Sequence, residues 1–381
     1  MPYHPRQGHW AIQVLLASLV LGAVAAAAAE VKPRILPVQR HFRMGFTPFP
    51  YDISLEALQD THRFLRENAD LIAIHIEGVP WTEARSGKPF HRKMLEDWEG
   101  KKRATPPGAK VYLAVSPLNQ GRSGLAEYRA EREGLPVPEP FAGKALDDPL
   151  VVEAYLAYCR RAIEFFRPDY FALGIEVNEL YHNGRPKWEG YVRLHEQVYR
   201  ALKREHPKLP VFASFTLHNM LNPGWKDRDA MLAAFKKLMP FNDCVAVSFY
   251  PFMAGLSGRV DQSLRWLAAE FDPFQKPYAF AEMGQAAEPV VLKSFKLTIP
   301  ADAKTQEKVL EDMLRFAHGH RFEFLVWFVP RDYDAMWRKI EAASPEFFKA
   351  WKDCGLLDGD GNPRPSHRLW RAHFELPWRG K

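Results

Sequence analysis

Two short apolar runs in this sequence end in carboxylate side chains and lie about 100 residues apart. Residues 171–180 close with Asn178 and Glu179, and residues 278–284 contain Glu282. Short apolar runs bounded by proline, glycine and other turn-forming residues predict buried strands of a parallel sheet. Two carboxyl groups that face each other can divide a reaction between them, because one can donate a proton while the other attacks as a nucleophile.

Other apolar runs also end in polar or aromatic side chains, which we expect to wall a binding site. These residues are His75, Glu77 and Trp81 at the end of residues 71–76, His218 and Asn219 after residues 210–216, Tyr250 after residues 244–249, and Trp327 within residues 322–328. Side chains alternate along a strand, so His75 and Glu77 share a face with Ala73, and Ile74 faces the other way with its isoleucine neighbours. The small and polar face is therefore predicted to point to the mouth of a barrel.

The elements that must position these residues alternate between strand and helix eight times. The predicted strands cover residues 42–46, 71–76, 110–115, 171–180, 210–216, 244–249, 278–284 and 322–328. This alternation predicts an α/β fold, a (β/α)8 TIM barrel, in which functional groups lie where strands end. Ser54 is the predicted cap of the first helix, and Leu55, Leu58, His62 and Leu65 follow it at helical spacing.

Two long strand-to-helix loops are predicted after the second and third strands, at residues 78–109 and 116–148. Loops of this kind build the active-site face of such a barrel, so we expect these two to wall a cleft and to set specificity. A helix from about residue 148 to residue 166 then returns the chain to the fourth strand.

Asn178-Glu179 followed by Glu282 resembles the pair that defines the clan A retaining glycoside hydrolases, which are (β/α)8 barrels. In that clan an Asn-Glu ending the fourth strand supplies the acid/base, and a Glu ending the seventh supplies the nucleophile. Residues 248–252, Ser-Phe-Tyr-Pro-Phe, resemble the sixth-strand motif of the endo-β-1,4-galactanases and their cellulase-like relatives. The glycine that usually precedes Asn-Glu is Val177 here.

The resemblance implies a role for each matching residue. Glu179 would be the acid/base and Glu282 the nucleophile of a retaining double displacement. Asn178 would donate to the sugar 2-hydroxyl, Tyr250 would hydrogen-bond Glu282, and Trp327 would form the apolar floor beneath the reacting sugar. Glu176 is interpreted separately, as a structural carboxylate that points into the barrel and pairs with an arginine or histidine.

Two other classes of protein fit some of the same residues. Glu179, His218 and Glu282 could line a divalent-metal site, which would make the protein a metal-dependent barrel enzyme. A barrel that binds sugar without turning it over is the other alternative. The glycosidase hypothesis itself requires no metal and no cofactor.

The N-terminus predicts export. Residues 1–29 combine a weakly basic start, an apolar centre and a run of alanines, which is typical of a cleaved secretory signal peptide. We expect residues 30–381 to form a single catalytic domain that is monomeric, secreted or periplasmic, and free of the membrane after cleavage. The formal charge of +6 is too small and too scattered to predict nucleic-acid binding, and 11 Trp and 26 Phe suit a carbohydrate substrate. Cys159, Cys244 and Cys354 cannot all pair, and no disulfide is predicted.

Overall fold

The computed structural model describes residues 36–222 and 227–380. The predicted signal peptide, residues 1–29, lies outside the described residues. Among the described residues, no helix combines the length and the apolar character that crossing a bilayer requires. Cys159, Cys244 and Cys354 are buried and unpaired.

Eight parallel barrel positions organise the chain, as the alternating pattern predicts. The strands are β1 (Arg43–Phe46), β2 (Leu71–Ile76), β3 (Lys110–Val115), β4 (Tyr170–Ala172), β5 (Val211–Phe212), β6 (Ser214–Thr216), β7 (Val245–Phe249), β8 (Tyr278–Met283), β9 (Val290–Leu292), β10 (Leu297–Ile299) and β11 (Phe322–Trp327). The large sheet has the order β5-β4-β3-β2-β1-β11-β8-β7-β6. Only Ala213 separates β5 from β6, so these two segments are one interrupted strand that closes the barrel.

Helices surround this barrel. They are α1 (Leu55–Asn68), α2 (Trp81–Ser86), α3 (Arg92–Ala104), α4 (Pro149–Phe166), α5 (Asn178–Asn183), α6 (Trp188–Glu205), α7 (Leu217–Met220), α8 (Arg228–Lys236), α9 (Val260–Phe271), α10 (Ala303–Gly319), α11 (Asp334–Ile340) and α12 (Pro365–Phe374). The Ser54 side chain accepts from the Ala57 N–H at 3.1 Å, which caps α1 as predicted. Asp148 caps α4 in the same way, through the Leu150 N–H at 2.9 Å.

The core has two layers. Small and aromatic side chains fill the barrel interior, and a larger apolar layer lies between the barrel and the helices. Along β2, Ala73 points inward and Ile74 points to the helices, so the predicted alternation is confirmed. The interior residues include Ala73, Ala114, Ala172, Ala246, Ala279 and Ala281, packed around Tyr112, Phe212 and Phe324.

Three predicted elements differ from the structure. The segment 78–109 contains the helices α2 and α3 rather than a continuous loop, because Trp81, Met94 and Trp98 bury against α4 and its surroundings. The fourth strand ends at Ala172, and the residues after it form a turn that leads into α5. In α1 the buried face includes Phe64 and Leu65, so Leu55 and Leu58 are exposed although their spacing is helical.

The loops at the C-terminal ends of the strands form two walls. The first wall comprises the loops after β2, β3 and β4. The bridge between Val79 and Tyr128 and the Trp81 indole donating to the Ala126 carbonyl at 2.9 Å join the first two loops, and the Asn183 amide donating to the Gly121 carbonyl at 3.1 Å joins the third. The second wall comprises the loops after β7, β8 and β11 and includes the antiparallel β9–β10 hairpin. An apolar cluster that contains Tyr250, Leu297 and Cys354 holds the second wall together.

Candidate active site

Glu282 lies at the C-terminal end of β8, where its side chain is 17% exposed. One carboxylate oxygen accepts a hydrogen bond from the Tyr250 hydroxyl, and the other lies 3.5 Å from Nδ1 of His75. Burial raises the pKa of Glu282 to about 7, while the Tyr250 hydrogen bond and the Arg122 charge act to lower it. Glu77, at the end of β2, adds a repulsive negative charge. The β2, β7 and β8 strand ends therefore meet around one oriented carboxylate.

Tyr250 is held in place by contacts to its backbone and to its ring. The Tyr250 N–H donates to Nδ1 of His218 at 3.3 Å, and the two rings pack edge to face at 5.9 Å. Burial lowers the pKa of His218 to about 4, so the imidazole is neutral and can accept this bond. Gly284 permits the close approach of the ring, because a Cβ there would lie 2.8 Å from Tyr250 and 2.9 Å from the Phe328 carbonyl. His218 thus supports Tyr250 from a buried position.

The turn after β4 presents a second accessible carboxylate, Glu176. Its side chain is 25% exposed and lies 3.6 Å from the guanidinium of Arg122. Burial raises the pKa of Glu176; Arg122 counteracts this, and the charge of Glu282 adds to it. The predicted pairing of Glu176 with an arginine is therefore observed. Arg122 belongs to the long loop after β3, where no local pattern in the sequence singles it out as a site residue.

Glu179 lies three residues further on, in the first turn of α5. Its carboxylate accepts hydrogen bonds from the Thr216 hydroxyl and from the Asn219 amide, the latter at 2.8 Å. Only 7% of Glu179 is exposed, and burial raises its pKa to about 7. Asn219 is also buried. Its amide contacts Glu179, whereas the sequence predicts that it lines a polar wall of the site.

Asn178 is fully buried, whereas its predicted contact with the sugar would need an exposed amide. Its amide donates to the Thr216 hydroxyl at 3.0 Å, and its carbonyl oxygen accepts from the Thr216 N–H at 2.8 Å. Both ends of the side chain are thus committed to β6. The strand stops at Ala172, so the alternation that would aim Asn178 into the cleft no longer applies.

Neither predicted tryptophan reaches the cleft. Trp81 and Trp327 are fully buried in the layer between the barrel and the helices, and the indole of Trp327 donates to the Cys354 carbonyl at 2.9 Å. Phe328 is the partly exposed aromatic residue at this strand end, with its ring 6.1 Å from Tyr250 and 6.2 Å from Phe49. Strand alternation could have found it, because Phe324 points into the barrel and Phe328 is in register with it.

The proposed metal trio of Glu179, His218 and Glu282 is not brought together as a ligand set. In the described part of the chain, the cluster whose ligand atoms all lie within 4.8 Å of one another is Glu288, Asp332 and Asp353. Those carboxylates are already paired, since Arg364 contacts Glu288 and Asp332 while Lys352 contacts Asp353. Their arrangement is that of an ion-pair network that links the loops after β8 and β11.

Several solved structures share this architecture. A GH5_18 protein from Streptomyces cattleya in complex with GlcNAc superimposes with a TM-score of 0.61 at 16% identity, covering 89% of this chain and 80% of that one. The exo-beta-1,4-mannosidase Op5Man5 from Opitutaceae bacterium strain TAV5 gives 0.57 at 14% identity, covering 88% of this chain and 59% of that one.

A structure of fungal beta-1,4-galactanases gives a TM-score of 0.53 at 15% identity, with 82% of this chain and 90% of that one covered. No family model matches the sequence, and no curated protein sequence matches it significantly. At these identities the likenesses establish the fold alone, which is a (β/α)8 barrel.

Proposed function

We propose that this (β/α)8 barrel is a retaining glycoside hydrolase that cleaves β-linked oligo- or polysaccharides. The observation that carries the proposal is the environment of Glu282, a carboxylate oriented by Tyr250 and His75 that interacts electrostatically with a second accessible carboxylate, Glu176. Retaining glycosidases require two such carboxyl groups about 5 to 5.5 Å apart, one to attack and one to protonate. Export to the periplasm or the exterior is part of the same proposal and is supported by residues 1–29.

The chemistry divides into two displacements. Glu282 attacks the anomeric carbon as the bond to the leaving oxygen breaks, and a carboxylic acid from the turn after β4 gives that oxygen its proton. A water molecule then attacks the same carbon, the bond to Glu282 breaks, and the carboxylate after β4 takes the water proton. Phe328 offers the apolar surface beneath the sugar that was expected of Trp327.

The structural neighbours suggest which substrates to test first. They include a protein in complex with Manb1-4GlcNAc, an exo-beta-1,4-mannosidase and beta-1,4-galactanases. We therefore rank β-1,4-linked mannosyl and galactosyl substrates ahead of glucans, xylans and uronate-containing polymers.

The direct test measures the release of reducing sugar by the full chain from a panel of these mannosyl, galactosyl, glucan, xylan and uronate-containing substrates. We expect hydrolysis of at least one β-linked substrate. Glu282→Gln should lower the rate of hydrolysis by several orders of magnitude, because the variant lacks the nucleophile. Glu341→Gln, an exposed position, is the matched control and should retain full activity. A chelator in a parallel reaction should have no effect.

Three results would contradict the proposal. Activity that survives in Glu282→Gln would remove the nucleophile from the mechanism. Activity that is lost on chelation would favour a metal-dependent enzyme. Sugar binding without release across the whole panel would indicate a carbohydrate-binding barrel.

A further inference from the structure

The turn after β4 carries two glutamates, and their environments differ. Glu176 has a backbone φ of 51°, in the left-handed region that glutamate rarely adopts. The Glu176 N–H donates to the Ser214 hydroxyl at 3.0 Å, which fixes this turn to β6. A left-handed non-glycine residue costs about 1–2 kcal/mol, and such residues concentrate at functional sites.

The left-handed turn sends the Glu176 side chain towards Glu282. Its carboxyl group lies near Ser248, which acts to lower the pKa of Glu176, and Ser248 is the register partner of Glu282 between β7 and β8. The charges of Glu176 and Glu282 interact directly, and the charge of Glu176 also acts on His75, which contacts Glu282. The neighbouring Ser248 and the electrostatic interactions with His75 and Glu282 therefore indicate that Glu176 and the proposed nucleophile face the same cleft.

Glu179 follows the same turn and lies in the first turn of α5, where it contacts β6 and α7. Its carboxylate is bound by Thr216 and Asn219, residues of β6 and α7, and it is much less exposed than Glu176. The charge that acts on Glu179 is that of Glu176, while Glu176 is the carboxylate on which Glu282 acts. Of the two glutamates in this turn, Glu176 is therefore the electrostatic partner of Glu282.

We infer that Glu176 is the acid/base that works opposite Glu282, and that Glu179 is a positioning residue that ties the turn to β6 and α7. The inference rests on the proposed glycosidase function and moves the acid/base role from Glu179, the residue that the sequence motif implies, to Glu176, which the sequence alone suggests is a structural carboxylate. In the first step the Glu176 proton moves to the leaving oxygen as the glycosidic bond breaks. In the second, the Glu176 carboxylate takes a proton from the water that releases the sugar from Glu282.

The electrostatics of the pair suit this exchange. The negative charge of Glu282 favours the protonated form of Glu176 before the attack. Once Glu282 is esterified by the sugar, that charge disappears, and Arg122 at 3.6 Å stabilises the Glu176 carboxylate that must act as base. Glu179 accepts two hydrogen bonds in a buried site. The charge of Glu282, which changes during the reaction, acts on Glu176.

The test compares alanine and glutamine variants of the two glutamates on paired substrates. The pair is the best natural substrate from the panel and the 2,4-dinitrophenyl β-glycoside of the same sugar, whose leaving group needs no proton. Glu176→Gln should lower kcat/KM on the natural substrate by about 10²–10⁴-fold and on the activated one by less than about tenfold at the glycosylation step. Glu179→Gln should affect both substrates by the same small factor, because it keeps an acceptor for Thr216 and Asn219.

Azide supplies a second readout. Glu176→Ala with the dinitrophenyl glycoside should accumulate the glycosyl-enzyme on Glu282, visible as a burst and as a mass increase, and azide should accelerate turnover by forming the β-glycosyl azide. Glu179→Ala should show neither effect. Thermal unfolding of each variant separates lost chemistry from lost folding.

Two outcomes overturn the inference in different ways. Azide rescue of Glu179→Ala, with none for Glu176→Ala, would return the acid/base role to Glu179 and leave the proposed function intact. No hydrolysis of any substrate by the wild-type chain would remove the proposed function and this inference together.

Discussion

The hydroxyl of Tyr250 donates a part-buried hydrogen bond to the Glu282 carboxylate. Hydrogen bonds to charged groups contribute about 1.5–3 kcal/mol, so Tyr250→Phe should lower kcat/KM by about 10- to 100-fold. This bond lowers the pKa of Glu282, and its loss raises that pKa. Glu282 reacts as the carboxylate, so the acid limb of the kcat/KM profile should move to higher pH.

Steady-state kinetics across the pH range will check this prediction. Tyr278→Phe is the matched control, because it removes a tyrosine–carboxylate hydrogen bond of 2.7 Å, to Asp272, at the opposite end of β8. An unchanged acid limb in Tyr250→Phe would show that the phenol does not govern the ionisation of the nucleophile.

At the scale of elements, Asn178 fastens the start of α5 to β6. Its amide pairs with the backbone and the hydroxyl of Thr216 in a fully buried setting. Asn178→Ala leaves the Thr216 N–H without a partner, so we expect the free energy of unfolding to fall by about 2–3 kcal/mol. KM should stay within about twofold of wild type, because the side chain is fully buried.

Urea unfolding and kinetics on one preparation test both halves of this prediction. Asn183→Ala is the control, since it removes a single, partly buried amide bond to the Gly121 carbonyl from the other end of α5. A variant that keeps its stability but loses affinity for substrate would restore the sugar contact that the sequence motif implies for Asn178.

These elements also show where sequence reasoning reaches its limit. The apolar runs and their turn signals predict every barrel strand position, because burial on both faces of a parallel strand leaves a strong local pattern. Alternation predicts which way β2 faces. It misplaces the residues after Ala172, since a left-handed turn at Glu176 ends the period of two. Arg122 and the hairpin β9–β10 come from loops, whose conformation depends on contacts distant in sequence.

At the scale of the whole molecule, each of the two walls is held together by contacts of its own. The first wall is joined through Trp81, Val79 and Tyr128, and the second through an apolar cluster of its own. Glu282 and Glu176 emerge between them from the strand ends. Apart from Arg122 and Tyr250, which contact the two carboxylates, each wall can therefore change its length or shape without moving Glu176 and Glu282.

The left-handed backbone at Glu176 has a consequence for how such a protein evolves. Asparagine and glycine fit that conformation better than glutamate, and neither brings a carboxylate whose pKa is raised by burial. Glu176→Asn should therefore raise the free energy of unfolding by about 1 kcal/mol while lowering kcat/KM on the natural substrate by about 10²–10⁴-fold. Glu176→Gln removes the charge and keeps the strain, so it should gain less, and calorimetry of the pair measures the difference. A lineage released from selection for activity would then drift towards asparagine or glycine at this position, and the residue found there in descendants would record whether catalysis was retained.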